Sequence, residues 1–454
     1  MLGIDQEVAA VAQPRPSAER LRALRKIIPC SLIKSILKQT GQNRLCRCLP
    51  KYLMVWFVIA MGLCATDCYR QIYRWLHRFR PKGVPPRSSL CEARQRLGVA
   101  PVRLLMHRVV QLLATALTPG AYYRGLRLMA VDGFVVDLPD TRDNARVFGR
   151  PKGGRTPGAF PQARVLALCE VGTHVLWRCL IKPLRCAEIV MVRTLLRWLA
   201  PDMLLLWDRG FLSYHNVRDV RAGQAQLLAR IQKNLVFAKR KVLADGSYLA
   251  KLYRSTQHRR HDRDGLLVRI IQYTINDPGR PGSGTVHRLL TTLHDARQHP
   301  AQRLIVLYHE RWEEELAIDE LKTHQQQRVV LRSQTPAGVV QEIYGMLLAH
   351  FVVRKLMVTA AATQQLPPRR LSFTGTLKIL RCRLPECPRS PRGLRRWYDD
   401  LIREIAEEVL PVRRDRVNPR VIKRKMSKWP KKRPQHKCNP QPSKKFHETL
   451  EVSC

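Results

Sequence analysis

The sequence predicts an α/β fold with a helical segment in front of it, and three observations lead there. Through the first 120 residues apolar side chains recur at helical spacing. From Arg127 the pattern changes to short apolar runs divided by glycine turns, then alternates between strand and helix. A third stretch, residues 235–294, is β-like and turn-rich and interrupts that alternation before helix resumes at Pro300.

In the helical segment, Leu21, Leu24, Ile27 and Ile28 share one face. The run from Tyr52 continues through Tyr69, Ile72, Tyr73 and Leu76, with Arg and Lys at the positions between. A break at Arg80–Pro86 precedes a helix from Ser88 to Leu97 with Ser88 as its cap. A further helix is expected from Val102 to about Leu117, stopped by Thr118-Pro-Gly120. Residues 1–120 thus form an expected helical domain.

In the next part, Leu128–Val131, Phe134–Asp137, Arg164–Leu168 and Val175–Ile181 read as a strand meander with turns at Asp-Gly, Gly-Gly and Gly-Thr. Glu188–Leu199 reads as an amphipathic helix, Met203–Trp207 as a strand buried on both faces, Ser213–Ala222 as a helix and Leu227–Ile231 as a strand. Residues 121–234 and 295–365 then make the core, with 235–294 as an inserted β subdomain. Helix is expected from Pro300 to about Gln326 and from Pro336 to Ala361. Residues 366–454 complete the chain with a helical segment and a basic tail. From Pro411 to Lys437 the tail carries 12 Lys and Arg against the single acid Asp415, a composition that stays disordered until DNA orders it.

Charge narrows the function. Against 35 Asp and Glu stand 81 Lys and Arg, a formal +46, which makes nucleic acid the first partner to consider. A membrane is not expected, because the apolar run Leu53–Cys64 falls well short of the ~20 residues that span a bilayer. The start Met1–Val8 has no basic-then-apolar signal pattern, so an intracellular location is expected. The 13 cysteines are scattered, with no second pair at zinc-finger distance from Cys46/Cys48, Cys64/Cys68 or Cys382/Cys387, and read as reduced, mostly buried thiols.

Candidate chemistry rests on carboxylates. Asp132 follows the run Leu128–Val131, and Asp208 follows Met203–Trp207. Ends of neighbouring strands in an open sheet converge where such sheets hold their sites. Two carboxylates there repel each other unless they are protonated or bridged by a divalent cation. Taken singly, Asp132-Gly133 also reads as a hairpin turn and Asp208-Arg-Gly210 as a helix entry. On the helix from Pro300, Tyr308, Arg311, Glu315 and Lys322 stand at offsets 0, 3, 7 and 14, one face at a period of 3.6. Glu310, Glu313 and Glu314 fit a solvated face, although any of them could be confused with a ligand.

Together these residues resemble the transposases of the insertion sequence 4 family, within the DDE class. Tyr308-x2-Arg311-x3-Glu315-x6-Lys322 reproduces that family's signature at every spacing. Val131-Asp-Gly133 with Leu138–Thr141, Asn144 and Phe148 resembles its first-aspartate region, and Trp207–Phe211 its second. Pro86–Gly98 and Pro419–Lys423 also look like family features.

The resemblance implies a ribonuclease-H-like catalytic core with a β insertion, acting as the transposase of a bacterial insertion sequence. It implies catalysis by Asp132, Asp208 and Glu315 holding two Mg²⁺, with Mn²⁺ able to substitute. It also implies cleavage at terminal inverted repeats and joining of the freed 3′ hydroxyls to target DNA. Arg311 and Lys322 would contact DNA phosphates and Tyr308 would help hold the terminal strand. The partners are double-stranded DNA, as transposon ends and target, and a second copy of the chain in a synaptic homodimer. The implied location is cytoplasmic and nucleoid-associated. Some relatives cut through a DNA hairpin and stack a flipped base on a Trp of the insertion. Residues 209–311 contain no Trp, which leaves Phe237, Tyr248, Tyr253 or Tyr273 for that role. A nuclease or junction resolvase on the same fold, or a DNA-binding relic without chemistry, are the rival readings.

Overall fold

The computed structural model of the protein describes residues 19–44, 46, 49–77, 83–153, 156–232, 234–280, 282–411 and 442–453. The start Met1–Val8, Cys48, the first residues of the Arg80–Pro86 break, and the basic stretch from residue 412 through Pro419–Lys423 to Lys437 lie outside them. The chain forms two compact units. The first comprises Met1–Tyr122, Asp132–Ala187 and Glu313–Leu410; the second comprises Tyr123–Val131, Glu188–Trp312 and Pro411–Cys454.

The first unit is built on the helix Pro336–Thr363, 28 residues with both faces buried over most of its length. By length and composition it could cross a membrane, yet its apolar window is 78% buried inside the protein, as in the core helix of a packed domain. The helix Lys51–Leu63 lies against it, buried from Leu53 to Leu63, which accounts for the apolar run seen in the sequence. The two backbones meet at glycines. A Cβ on Gly62 would stand 2.7 Å from the Gly345 carbonyl, and one on Gly345 would stand 2.6 Å from Val58 Cγ1. Helices Cys30–Gln39, Tyr69–Leu76, Arg87–Leu97 and Ala100–Val109 and the 3-10 turn Glu19–Lys26 bury their apolar faces in the same core. Arg94 ties them in: its Nε donates to Gln341 Oε1 at 3.0 Å and its Nη1 to Ser333 Oγ at 3.1 Å. Asn144 Nδ2 donates to the Ser333 carbonyl at 3.3 Å, so two of the family-like segments converge on one serine.

Two helix limits differ from expectation. The helix of Ser88 begins at Arg87 with Pro86 at the cap, because proline's fixed φ suits that position as well as a serine does. The helix from Ala100 ends at Val109 rather than near Leu117. Beyond it the amides of Leu113 and Ala114 donate to the buried Glu170 carboxylate at 2.9 and 3.0 Å, a competing acceptor that helical backbone could not reach. Strands Gln162–Glu170 and Val175–Pro183 form an antiparallel pair in this unit.

In the second unit, the N-terminal half of the strand Leu126–Asp137 pairs in parallel with Met203–Trp207, which pairs in parallel with Gln226–Arg230. Such strands need helical crossovers, and Glu188–Leu196 and Tyr214–Ala222 supply them, the latter capped by Ser213. The expected β insertion is present as Lys241–Val242, Tyr248–Leu252, Leu266–Ile275 and His287–Thr291. It extends the core sheet, since His287–Thr291 pairs antiparallel with Gln226–Arg230. One strand was not anticipated: Leu450–Ser453, at the end of the supposed tail, pairs antiparallel with Gln272–Ile275.

All ten described cysteines are free, and four of them are buried: Cys64, Cys169, Cys179 and Cys387. The expectation of mostly buried thiols therefore holds for fewer than half of them.

Candidate active site

In the second unit, Val131 and Trp207 face each other in parallel register. The next residue in the chain is an aspartate in both cases, Asp132 after Val131 and Asp208 after Trp207. Met203–Trp207 is buried at all five positions because it lies between two parallel strands, and the chain first regains partial exposure at Asp208. Among the described residues the Asp208 carboxylate forms no hydrogen bond or ion pair, so its oxygens are available as ligands.

The helix Ala301–His309 brings Tyr308 to the same strand end. Its hydroxyl donates to the Trp207 carbonyl at 3.2 Å and also bonds to Arg311. Burial, followed by the opposing influence of Arg311, sets the hydroxyl's pKa well above the usual tyrosine value, so it remains a proton donor. Tyr308 is 8% exposed, which commits its hydroxyl to the strand end before any DNA arrives. Next to it His309 is pushed down to about 4, first by burial and then by His287, Arg280, Arg230 and Arg311. A neutral imidazole there packs against Phe446 of the C-terminal segment, centroid to centroid 3.9 Å.

In the first unit, Asp132 lies inside the unbroken strand Leu126–Asp137, which excludes the hairpin-turn reading of Asp132-Gly133. The Gly133 amide donates to Asp132 Oδ1 at 2.8 Å. Lys322 Nζ stands 6.0 Å from the centroid of Phe134, two residues along the same strand, and this brings the signature lysine to the first-aspartate region. Glu315 is partly exposed.

The helix expected from Pro300 to Gln326 is not continuous. Helix ends at His309, turns through Glu310 and Arg311, restarts as Trp312–Asp319 and widens to a π-helix over Glu320–Gln325. A single 3.6-residue face therefore cannot be drawn from Tyr308 to Lys322. The spacing of the four signature residues reflects a break and a π-turn as well as helical pitch. Local periodicity could not show this, because the cause is tertiary: buried ionic partners hold the segment. Those partners also correct the reading of the neighbouring acids as a solvated face. Glu313 is 7% and Glu314 0% exposed. Glu313 Oε2 meets His174 Nε2 at 3.0 Å, and Glu320 Oε1 meets His174 Nδ1 at 2.9 Å. Asp319, a further acid of this segment, is engaged by Thr323 Oγ1 at 2.5 Å and His324 at 3.4 Å.

Of the four aromatic residues considered for base stacking, Phe237, Tyr248 and Tyr273 are buried. Tyr253 is partly exposed, and its hydroxyl donates to Asp262 at 2.6 Å.

Residues 123–352 match the family described as transposase DDE domain, and residues 18–107 match the insertion element 4 transposase N-terminal family. The chain is 30% identical over 421 residues to "Transposase InsG for insertion sequence element IS4" of Escherichia coli (strain K12), covering 90% of this chain and 93% of that one. The chain belongs to the insertion sequence 4 family of DDE transposases. A second relative, "Putative transposase InsZ" of the same organism, is 27% identical over 168 residues, 37% of the transposase described here and 56% of the relative. Among solved structures, one titled as the cryo-EM structure of a piggyBac transposase synaptic complex with hairpin DNA aligns with a TM-score of 0.41 at 12% identity, over 85% of this chain and 86% of that one. As a member of this family the transposase carries a DDE domain, catalyses insertion-sequence transposition, acts on DNA and works with divalent metal.

Proposed function

We propose that Asp132, Asp208 and Glu315 are the metal-ligating triad of this transposase. The observation that supports it best is the parallel register of Val131 with Trp207, since each of these two paired residues is followed in the chain by one of the aspartates. Three carboxylates suit two Mg²⁺, and Mn²⁺ shares their preference for hard oxygen ligands. When bound, the ions supply positive charge to the attacking and departing oxygens of phosphoryl transfer. The rest belongs to the chain. Arg311 and Lys322 orient DNA phosphates, the first through a planar fork and the second as a compact charge. Tyr308 fixes the strand end that carries Asp208.

On this reading the enzyme cuts at terminal inverted repeats and joins the 3′ hydroxyls to target DNA, with no covalent protein–DNA bond. The helical segment of residues 1–120 recognises the ends, residues 121–234 and 295–365 supply the chemistry, and two copies of the chain pair the ends. Its place is the cytoplasm, at the nucleoid. The test is single-turnover cleavage of the element's own terminal repeats by D132A, D208A and E315A. Each variant should lose cleavage and keep end binding; undiminished cleavage by E315A would remove Glu315 from the triad.

A further inference from the structure

We propose that His174 is a positioning residue for transposition, clamping the back of the helix that presents Glu315. The inference rests on Glu315 being a metal ligand. His174 lies far from the signature in sequence, in the turn between strands Gln162–Glu170 and Val175–Pro183, and takes a left-handed φ of 56°. A non-glycine residue in that region is uncommon and is held there by its surroundings. Here both ring nitrogens meet carboxylates, Nε2 facing Glu313 at 3.0 Å and Nδ1 facing Glu320 at 2.9 Å. With a carboxylate on each ring nitrogen, the ring is held from both sides.

The two glutamates are seven residues apart, two turns of helix, with Glu315 between them. In Trp312–Asp319, Glu315 follows Glu313 by two residues, about 200° around the axis. The clamp therefore grips one side and Glu315 projects from the other. Glu320, where the π-helix begins, is further held by Arg354 Nη1 at 3.4 Å and His350 Nε2 at 3.4 Å. Arg354 Nε also donates to the Thr173 carbonyl at 2.7 Å, locking the turn that carries His174. Burial would raise the Glu320 carboxyl, but Arg354 and then His174 hold it well below the usual range, so it stays ionised. His174 itself is 2% exposed, so its effect passes through the segment it holds.

The experiment compares three full-length proteins with wild type: H174F, which keeps a ring and removes both ring nitrogens; H174F/E313Q, which also removes the Glu313 charge left facing it while Glu320 keeps Arg354 and His350; and E315A. Thermal midpoint, end-DNA Kd, single-turnover cleavage rate and its Mg²⁺ dependence are measured for each. H174F should lower the midpoint and slow cleavage by about 10²-fold, the loss that a misplacement of ~1 Å produces, with Kd within about twofold of wild type. The double variant should regain part of the midpoint while its cleavage stays slow and needs more Mg²⁺ for half-maximal rate. Cleavage that returns with the midpoint overturns positioning and leaves a purely structural ion pair. Wild-type cleavage by H174F overturns the clamp outright. Normal cleavage by E315A refutes the ligand assignment instead, so the two failures are distinguishable.

Discussion

Replacing Tyr308 with Phe separates two roles for the signature tyrosine. The resemblance to known transposases gives Tyr308 a DNA strand to hold, whereas the fold gives its hydroxyl the Trp207 carbonyl at 3.2 Å, next to Asp208. Phe keeps the buried ring and deletes the hydroxyl, with its bonds to the Trp207 carbonyl and to Arg311. A typical hydrogen bond contributes about 1 kcal/mol net, and a buried carbonyl left without its partner costs about 1–3 kcal/mol. The bond fixes the strand end, so this loss should appear as freer motion of Asp208. If all of it fell on the transition state, cleavage would slow by roughly 5- to 150-fold at 1.36 kcal/mol per tenfold. Single-turnover cleavage and a mobility-shift titration of end DNA, run side by side with thermal melts, measure the three effects. The expected outcome is slower cleavage, a slightly lower midpoint and an unchanged Kd. A tenfold weaker Kd with an unchanged midpoint would refute the reasoning and return Tyr308 to the DNA.

Gly345→Ala gains about 1 kcal/mol of helix propensity but sets a methyl 2.6 Å from Val58 Cγ1 and against the backbone of the neighbouring helix. Overpacking costs about 1–3 kcal/mol, so the thermal midpoint should fall, and a rise would show that the helices can part freely. His309, held down to about 4, is neutral in the fold and titrates near 6.5 when unfolded. The unfolded chain therefore binds more protons between those values, and stability falls as pH drops from 6.5 towards 4. H309N should flatten that part of the midpoint–pH curve, and an unaltered curve would mean that His309 does not titrate as described. A chain lacking residues 443–454 uncovers Gln272–Ile275 as an unpaired strand edge and should aggregate, which light scattering would detect. Phe446→Ala leaves that strand in place but uncovers His309, whose ring should then titrate closer to 6.5 by NMR.

Much of the fold is determined by the sequence alone. Elements buried on all sides are written as long apolar stretches, and so Lys51–Leu63, Met203–Trp207 and Pro336–Thr363 could be read, whereas Tyr69–Leu76 shows its one buried stripe as helical spacing. Asp208 was legible for the same reason, as the polar residue that closes a buried strand, whereas Asp132 closes an apolar run but lies within a strand that continues to Asp137. The DDE signature was legible through spacing, although the reason for the spacing was not. Its residues sit on a helix that breaks at Glu310–Arg311 and widens at Glu320, because buried ionic groups fix it. Those groups, His174, His350 and Arg354, come from distant parts of the chain and follow no local period. The same limit hid the strand Leu450–Ser453, four residues too short to carry an alternation, and the early end of the helix Ala100–Val109, whose competing acceptor, Glu170, is about 60 residues further along. Periodicity reports which face of an element is buried; only the assembled core decides which buried charges meet, and here those charges set the phase of the helix that carries Glu315.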